Sequence, residues 1–262
     1  MYIGIDIGGS STRIAVSLSI DDPQPYNKHI FPTHNEFESN YQIIKEYIKK
    51  IQQPIKGIGL GIAGSVTKDK SMLMRTFNVP QFLNKPLVRD LSQDFHCNVY
   101  LENDGIASCF AEGLYTAHRQ KDFAYITWGT GIAVISMKHL NKIPQVIKLD
   151  RNIYYHHWEE DFGGKGLEKK FHNKAENLSD IEWMETFNLL DRKLTTFLQQ
   201  YKTDLVVFGG GIAQKKWQQI WGSLKNLSKK TGVTFDLTSL GGDNAGLYGA
   251  FALIKQANMS IF

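Results

Sequence analysis

The chain has 262 residues, 42% hydrophobic and 21% charged, with a formal net charge of +4. Such a composition belongs to a globular protein long enough for one large domain or two small ones. Lys and Arg are scattered, with no long basic run interleaved with aromatics, so nucleic-acid binding is not expected; nor is a membrane span, since no apolar run is long enough. The two cysteines, Cys97 and Cys109, form no CxxC pair, which argues against a disulfide or thiolate metal site and for a reducing cytoplasm. The N-terminus, "MYIGIDIGGSS", carries Asp6 and lacks the basic lead of a secretory signal.

Short apolar strands alternate with helical patterns, which predicts an α/β protein. "YIGIDIG" reads as a strand, followed by a Gly-Gly turn and a second strand, "RIAVSLSI". "HNEFESNYQIIKEYIKKI" has helical spacing of its apolar residues and ends before Pro54. "KGIGLGIAG" reads as a buried strand running into a Gly turn, and "NKPLVRDLSQDF" as a short helix before the strand "CNVYL". That strand meets Glu102-Asn103-Asp104, where a helical pattern begins at once. Asn and Asp there fit a helix cap. They also fit a site, because ligands of open α/β sheets sit beyond the carboxyl ends of the strands.

The pattern then repeats. "FAYITWGTGIAVISM" is again strand, Gly-rich turn, strand, and "DLVVFGGGIAQ" echoes "KGIGLGIAG". Internal similarity of this kind predicts a duplicated fold. The expected domains are residues 1–118 and 119–262, with the final helix, from "NAGLYGAFALIKQ", packing back on the first half.

Four Gly-rich polar sites fall at strand ends or before a helix. The first is Gly8, Gly9, Ser10, Ser11 and Thr12. The second is Gly129, Thr130 and Gly131, and the third Gly209, Gly210 and Gly211. Asn244 and Ala245 lie in the fourth. Gly permits close backbone approach, and successive N–H groups in such turns bind phosphate oxygens. Asp6, just before the first turn, is placed to hold Mg²⁺ directly or through water. The first turn alone is explained equally well by a β-hairpin; four sites in a duplicated chain point to a nucleotide cleft.

Together these segments resemble the ROK family of sugar kinases, within the actin and hexokinase-like superfamily. "GIDIGGSSTRIAVSL" and "YITWGTGIAVISM" are similar to the family's two phosphate motifs, and "GIGLGIAGSV" with "FNVP" to its sugar-side segments. "LENDGIASCFAEG" resembles its Glu-Asn-Asp helix start, and "VVFGGGIAQ" and "GGDNAGLYGAFAL" its adenosine-side motifs. The resemblance implies two α/β domains of the duplicated, ribonuclease H-like kind around a cleft. It makes Asp104 the catalytic base, Asn103 and Asn78 sugar ligands, and Gly64 the point where backbone approaches the sugar. A carboxylate within hydrogen-bond reach of a sugar hydroxyl can take its proton as the phosphoryl group arrives. Asn78-Val79-Pro80 also suits a plain turn.

The chain departs from the family at its GExGH and Cys/His zinc region, which here reads "IKLDRNIYYHHWEEDFGGKGLEKKF" and contains no Cys. A structural zinc site is therefore not expected. Shorter, zinc-less members look similar, and aligning Gly163-Gly164 on them makes Glu159 a sugar-binding carboxylate with His157 close to it. Asp150 is the nearest stand-in for the GExGH glutamate, and His156 has no identifiable metal partners. An acidic first helical turn explains Glu159 equally well. Trp128, Trp158 and Trp183 suit a sugar platform or, more commonly, a core.

The expected activity is ATP- and Mg²⁺-dependent phosphorylation of a glucose-like hexose or amino sugar, at its 6-hydroxyl, by a cytoplasmic homodimer. Two alternatives remain open: polyphosphate as donor, and a sugar sensor without catalysis. Family repressors add an N-terminal DNA-binding domain, whereas this sequence opens on its first strand, which argues against a DNA-bound regulator.

Overall fold

The computed structural model describes residues 1–140, 143–147, 158–241 and 244–259. Asp150, His156 and His157 lie outside the described residues. In chain order the elements begin with β1 (Tyr2–Ile7), β2 (Ser11–Ser17), β3 (Tyr26–Pro32), α1 (Phe37–Lys49), β4 (Gly57–Ile62), β5 (Ser65–Val66) and β6 (Leu73–Arg75). There follow α2 (Leu87–Phe95), β7 (Val99–Asn103), α3 (Asp104–Tyr115), β8 (Phe123–Trp128), β9 (Ile132–Leu140) and β10 (Ile143–Ile147). The chain continues through α4 (Trp158–Phe162), α5 (Gly164–Phe171), α6 (Asp180–Gln200), β11 (Leu205–Gly209), α7 (Gly211–Thr231), β12 (Thr234–Leu237) and α8 (Ala245–Met259). Two compact units result: Met1–Arg119 with the C-terminal helix α8, and Gln120–Gly242.

Each unit is built on a five-stranded sheet, of order β3-β2-β1-β4-β7 in the first and β10-β9-β8-β11-β12 in the second. Pairing repeats as well. In both sheets each neighbouring pair among the first three strands is antiparallel, and the last two strands run parallel to the third. The duplication expected from "YIGIDIGGSSTRIAVSL" and "FAYITWGTGIAVISM" is thus a duplication of topology.

The two faces of the first sheet differ because isoleucine or leucine alternates with Tyr2, Gly4 and Asp6 in β1 and with glycine in β4. One face carries Ile3, Ile5, Ile7, Ile58, Leu60 and Ile62, all at most 1% exposed, in one core with Tyr41, Ile44 and Ile48 of α1 and Leu87 and Leu91 of α2. The other face carries Gly4, Asp6, Gly57, Gly59 and Gly61, with Gly4 and Gly59, and Asp6 and Gly61, paired in register. Helix α8 lies on that face. Its residues 246, 250 and 254 recur at helical spacing and come to rest on Asp6, Gly59 and Gly57 respectively. A Cβ on Gly59 would stand 1.9 Å from the Ala250 carbonyl oxygen, so only glycine permits this approach.

In the second unit, Ala124, Ile126, Trp128, Val206 and Phe208 of the sheet pack with Trp183, Phe187, Leu190, Leu194 and Phe197 of α6 and with Ala213, Ile220 and Leu224 of α7. Helix α6 starts at a capping box, in which Ser179 and Glu182 satisfy each other's backbone N–H groups. Trp128 and Trp183 are 0% and 1% exposed, Trp158 is 6% exposed, and the Trp128 indole N–H donates to the Phe162 carbonyl at 2.6 Å. These tryptophans are core residues. Among the described residues no helix is long and apolar enough to cross a membrane.

Candidate active site

The polar stop at the end of β7 is a helix cap and more. The Asn103 Oδ1 accepts the Ile106 N–H at 3.0 Å, the cap expected of that residue. Its Nδ2 donates to the Gly64 carbonyl at 2.9 Å and to the Asp104 Oδ1 at 3.0 Å. Asp104 Oδ1 also accepts the Gly105 N–H at 2.9 Å. Asn103 thereby ties the first residue of α3 to the turn after β4. The Asp104 carboxyl is pushed up to about 7, first by desolvation and next by the charge of Asp6, against the lowering effect of its N–H partners.

Asp6 stands across Gly61 from Asp104. A Cβ on Gly61 would lie 3.9 Å from the Asp6 Oδ1 and 3.7 Å from the Asp104 Cα. The β1–β2 hairpin sets Asp6 opposite Arg13 in register, and the guanidinium reaches the Asp6 Oδ2 at 3.3 Å. Burial raises the Asp6 carboxyl above its ordinary range, and Arg13 opposes that shift. Gly246, in the first turn of α8, packs on the same carboxylate: a Cβ there would come within 2.2 Å of Asp6 Oδ2. Asp6 thus sits under a helix N-terminus, where negative charge is favoured. The sequence alone does not single out Arg13 or Gly246. The signal for Arg13 lay in the hairpin, which pairs residues equidistant from its turn.

The first Gly turn is pinned from behind. Gly8 N–H donates to the Ser11 carbonyl at 3.1 Å, and the buried Thr12 hydroxyl meets the Thr33 hydroxyl at 2.9 Å, while Thr33 donates to the Gly8 carbonyl at 2.7 Å. Thr12 therefore faces inward, and Gly9 and Ser10 are the exposed part of the turn. Asn78 comes against it: a Cβ on Gly9 would lie 3.2 Å from the Asn78 Cβ. The Asn78 segment is fixed by Thr76, whose hydroxyl donates to the Ala63 carbonyl at 2.6 Å and accepts the Asn78 N–H at 3.1 Å. Gly64 has φ +149°, and a Cβ there would lie 2.5 Å from the Arg75 carbonyl oxygen, so glycine is required. Asp6, Gly8, Gly9, Gly64, Asn78, Asn103 and Asp104 thus form one connected neighbourhood in the first unit. Asn244 and Ala245 open helix α8 in the same unit, and the buried Asn244 Oδ1 has no hydrogen-bond partner among the described residues.

The second unit gathers the other Gly sites. Gly129 donates to the Gly131 carbonyl at 2.8 Å, and a Cβ on Gly129 would lie 3.8 Å from the Gly211 nitrogen. Gly210 has φ +91° and would meet the Trp128 carbonyl with any side chain. The backbone before α7 therefore lies beside the 129–131 turn. Glu159, exposed on α4, turns its carboxylate onto that turn: Oε2 accepts the Ile132 N–H at 2.8 Å, and a Cβ on Gly131 would lie 2.8 Å from Oε1. Gly164 and Lys165 donate to the Gly129 and Thr130 carbonyls at 2.9 Å and 3.2 Å. The Gly163-Gly164 helix entry is thus buckled to the turn.

A sequence profile of the ROK family matches residues 2–142. The chain belongs to the ROK family. An N-acetyl-D-glucosamine kinase from Mannheimia succiniciproducens is 24% identical over 97% of this chain and 99% of its own. Among solved ROK structures, a glucokinase from Streptomyces griseus in complex with glucose and AMPPNP aligns with TM-score 0.73 at 17% identity, covering 97% of this chain and 99% of its own. A ROK family protein from Streptococcus pneumoniae TIGR4 in complex with sucrose aligns with TM-score 0.78 at 16% identity, over 99% of each chain. The fold is the duplicated actin/hexokinase-like one of these ROK structures.

Proposed function

We propose that this ROK protein is a sugar kinase that transfers a phosphoryl group from ATP to a hydroxyl, the 6-hydroxyl, of a glucose-like hexose or amino sugar. The observation that carries the reading is the Asp104 carboxyl. It sits at a strand end, is fixed by Asn103 and the Gly105 N–H, and is pushed up to about 7. A base poised near neutral pH is what removal of a sugar proton requires. Asn103 and Asn78 orient the acceptor, with Gly64 allowing the backbone to approach it.

Each unit offers glycine backbone suited to donor phosphates through N–H groups: the exposed Gly9-Ser10 turn in the first, and Gly129–Gly131 and Gly209–Gly211 in the second. Asn244 offers to the nucleotide its buried Oδ1, unpaired among the described residues. Mg²⁺ fits the donor set, because it is usually held by one or two carboxylates together with phosphates and water. Asp6 would hold it through water while keeping Arg13, and the bound ion would supply charge neutralisation on the phosphates. Glu159 holds the 129–131 turn in shape; the sugar contact expected for it from sequence is the competing role for the same carboxylate.

The test is ADP release in the presence of Mg-ATP and, separately, glucose, mannose, fructose, N-acetylglucosamine and N-acetylmannosamine. A sugar-dependent rate is expected with at least one acceptor. Sugar-independent ADP release alone, or turnover with polyphosphate and none with ATP, would contradict the reading.

A further inference from the structure

Lys70 lies outside every site assigned so far. It occupies the turn joining β5 to β6, in the left-handed backbone region at φ +57°. The turn holds it there. Lys70 N–H donates to the Thr67 carbonyl at 2.9 Å, while the Thr67 and Ser71 hydroxyls both bond to the Asp69 carboxylate, at 2.6 Å and 2.9 Å. From this fixed position the side chain, 53% exposed, reaches the Glu102 Oε2 at 2.7 Å, and the Glu102 side chain is only 8% exposed. The other oxygen of Glu102, Oε1, accepts the N–H of Asn103 at 2.9 Å. One carboxylate thus joins the tip of the hairpin to the backbone of the residue that precedes Asp104.

The base of the same hairpin is tied to the same place, because Asn103 Nδ2 donates to the Gly64 carbonyl. The hairpin then leads directly through Thr76 to Asn78. We infer that Lys70 is a positioning residue: its ion pair with Glu102 fastens the β5–β6 hairpin, and through it the Asn78 segment, to the strand end that presents Asn103 and Asp104. Asn103 on Gly64 and Thr76 on Ala63 hold the base, and buried Leu73, bridged to Leu83, holds β6; the Lys70 ion pair fastens the turn at the tip. Without Lys70, Glu102 also loses its counter-charge while staying nearly buried beside Asn103, which favours rearrangement there. The kinetic consequence rests on the sugar-kinase reading; the structural one does not.

The experiment compares Lys70→Met and Lys70→Arg with the wild type by backbone hydrogen exchange and by steady-state kinetics. Lys70→Met is expected to speed exchange across residues 65–78 and to raise the sugar KM about fivefold, the scale of a partly exposed charged hydrogen bond. The ATP KM should stay unchanged, and Lys70→Arg should restore both readouts. Unchanged exchange in 65–78 would overturn the fastening. Faster exchange with an unaltered sugar KM would overturn the positioning role. A wild type without sugar-dependent turnover would overturn the sugar-kinase reading, and hydrogen exchange would then decide the fastening by itself.

Discussion

Asp6 and Asp104 both border Gly61, with the carboxylate oxygen of one and the Cα of the other within 4 Å of where a Gly61 side chain would begin, and the charge of Asp6 raises the Asp104 carboxyl. The register of three adjacent strands produces this pair: Asp6 lies opposite Gly61 in β1–β4, and Gly61 opposite Glu102 in β4–β7. Two enclosed carboxylates this close resist double ionisation. Arg13 opposes the rise at Asp6, while burial and the Asp6 charge push the Asp104 carboxyl up to about 7.

The pH dependence follows in sign. The ordinary value for Asp104 is 3.8 and the folded value is about 7, so the folded chain binds this proton more tightly than the unfolded chain. Stability is therefore expected to fall as pH rises between these values. Asp104→Asn removes that loss and should melt higher than the wild type at pH 8, with little difference below pH 4. Thermal melts of both proteins across this range check it. In the wild type, kcat/KM should rise with pH and level off above about 7, since the free enzyme needs the ionised base.

Glu159 separates two roles by kinetics. Its carboxylate accepts the Ile132 N–H beside the 129–131 turn. Glu159→Ala should therefore raise the nucleotide KM, by about tenfold if a charge-assisted hydrogen bond is lost, and leave the sugar KM nearly unchanged. The reverse pattern, measured with the best acceptor, would make Glu159 a sugar ligand instead.

The seat of α8 predicts a steep glycine effect. Gly59→Ala brings a Cβ against the Ala250 carbonyl, where backbone must move. It should cost about 3 kcal/mol by overpacking. Gly222, within α7, has no such neighbour, and Gly222→Ala should stabilise the chain by about 0.5 to 1 kcal/mol. Urea denaturation of the two variants tests both signs.

The strands that stood out in the sequence are those whose composition their burial dictates. β1, β4, β8 and β11 sit inside their sheets and read as apolar runs, and Gly turns follow them. β3 did not stand out because six of its seven residues are exposed, and the two-residue β5 is too short to show a period. Within the site, Asp6, Asn103 and Asp104 were legible because polar residues interrupt apolar strands there. Arg13, Gly246 and the Lys70–Glu102 pair were not, because each owes its place to register or to chain segments far apart in sequence. The Glu159 carboxylate likewise reaches its partner across 27 residues.

The most direct test of the central claim is the turnover of Asp104→Asn beside the wild type, with Mg-ATP and the acceptor that gives the fastest wild-type rate. The account predicts a folded variant whose sugar affinity, read by calorimetry, is near that of the wild type and whose kcat is lower by about a hundredfold or more. Near-wild-type turnover in that variant would contradict it.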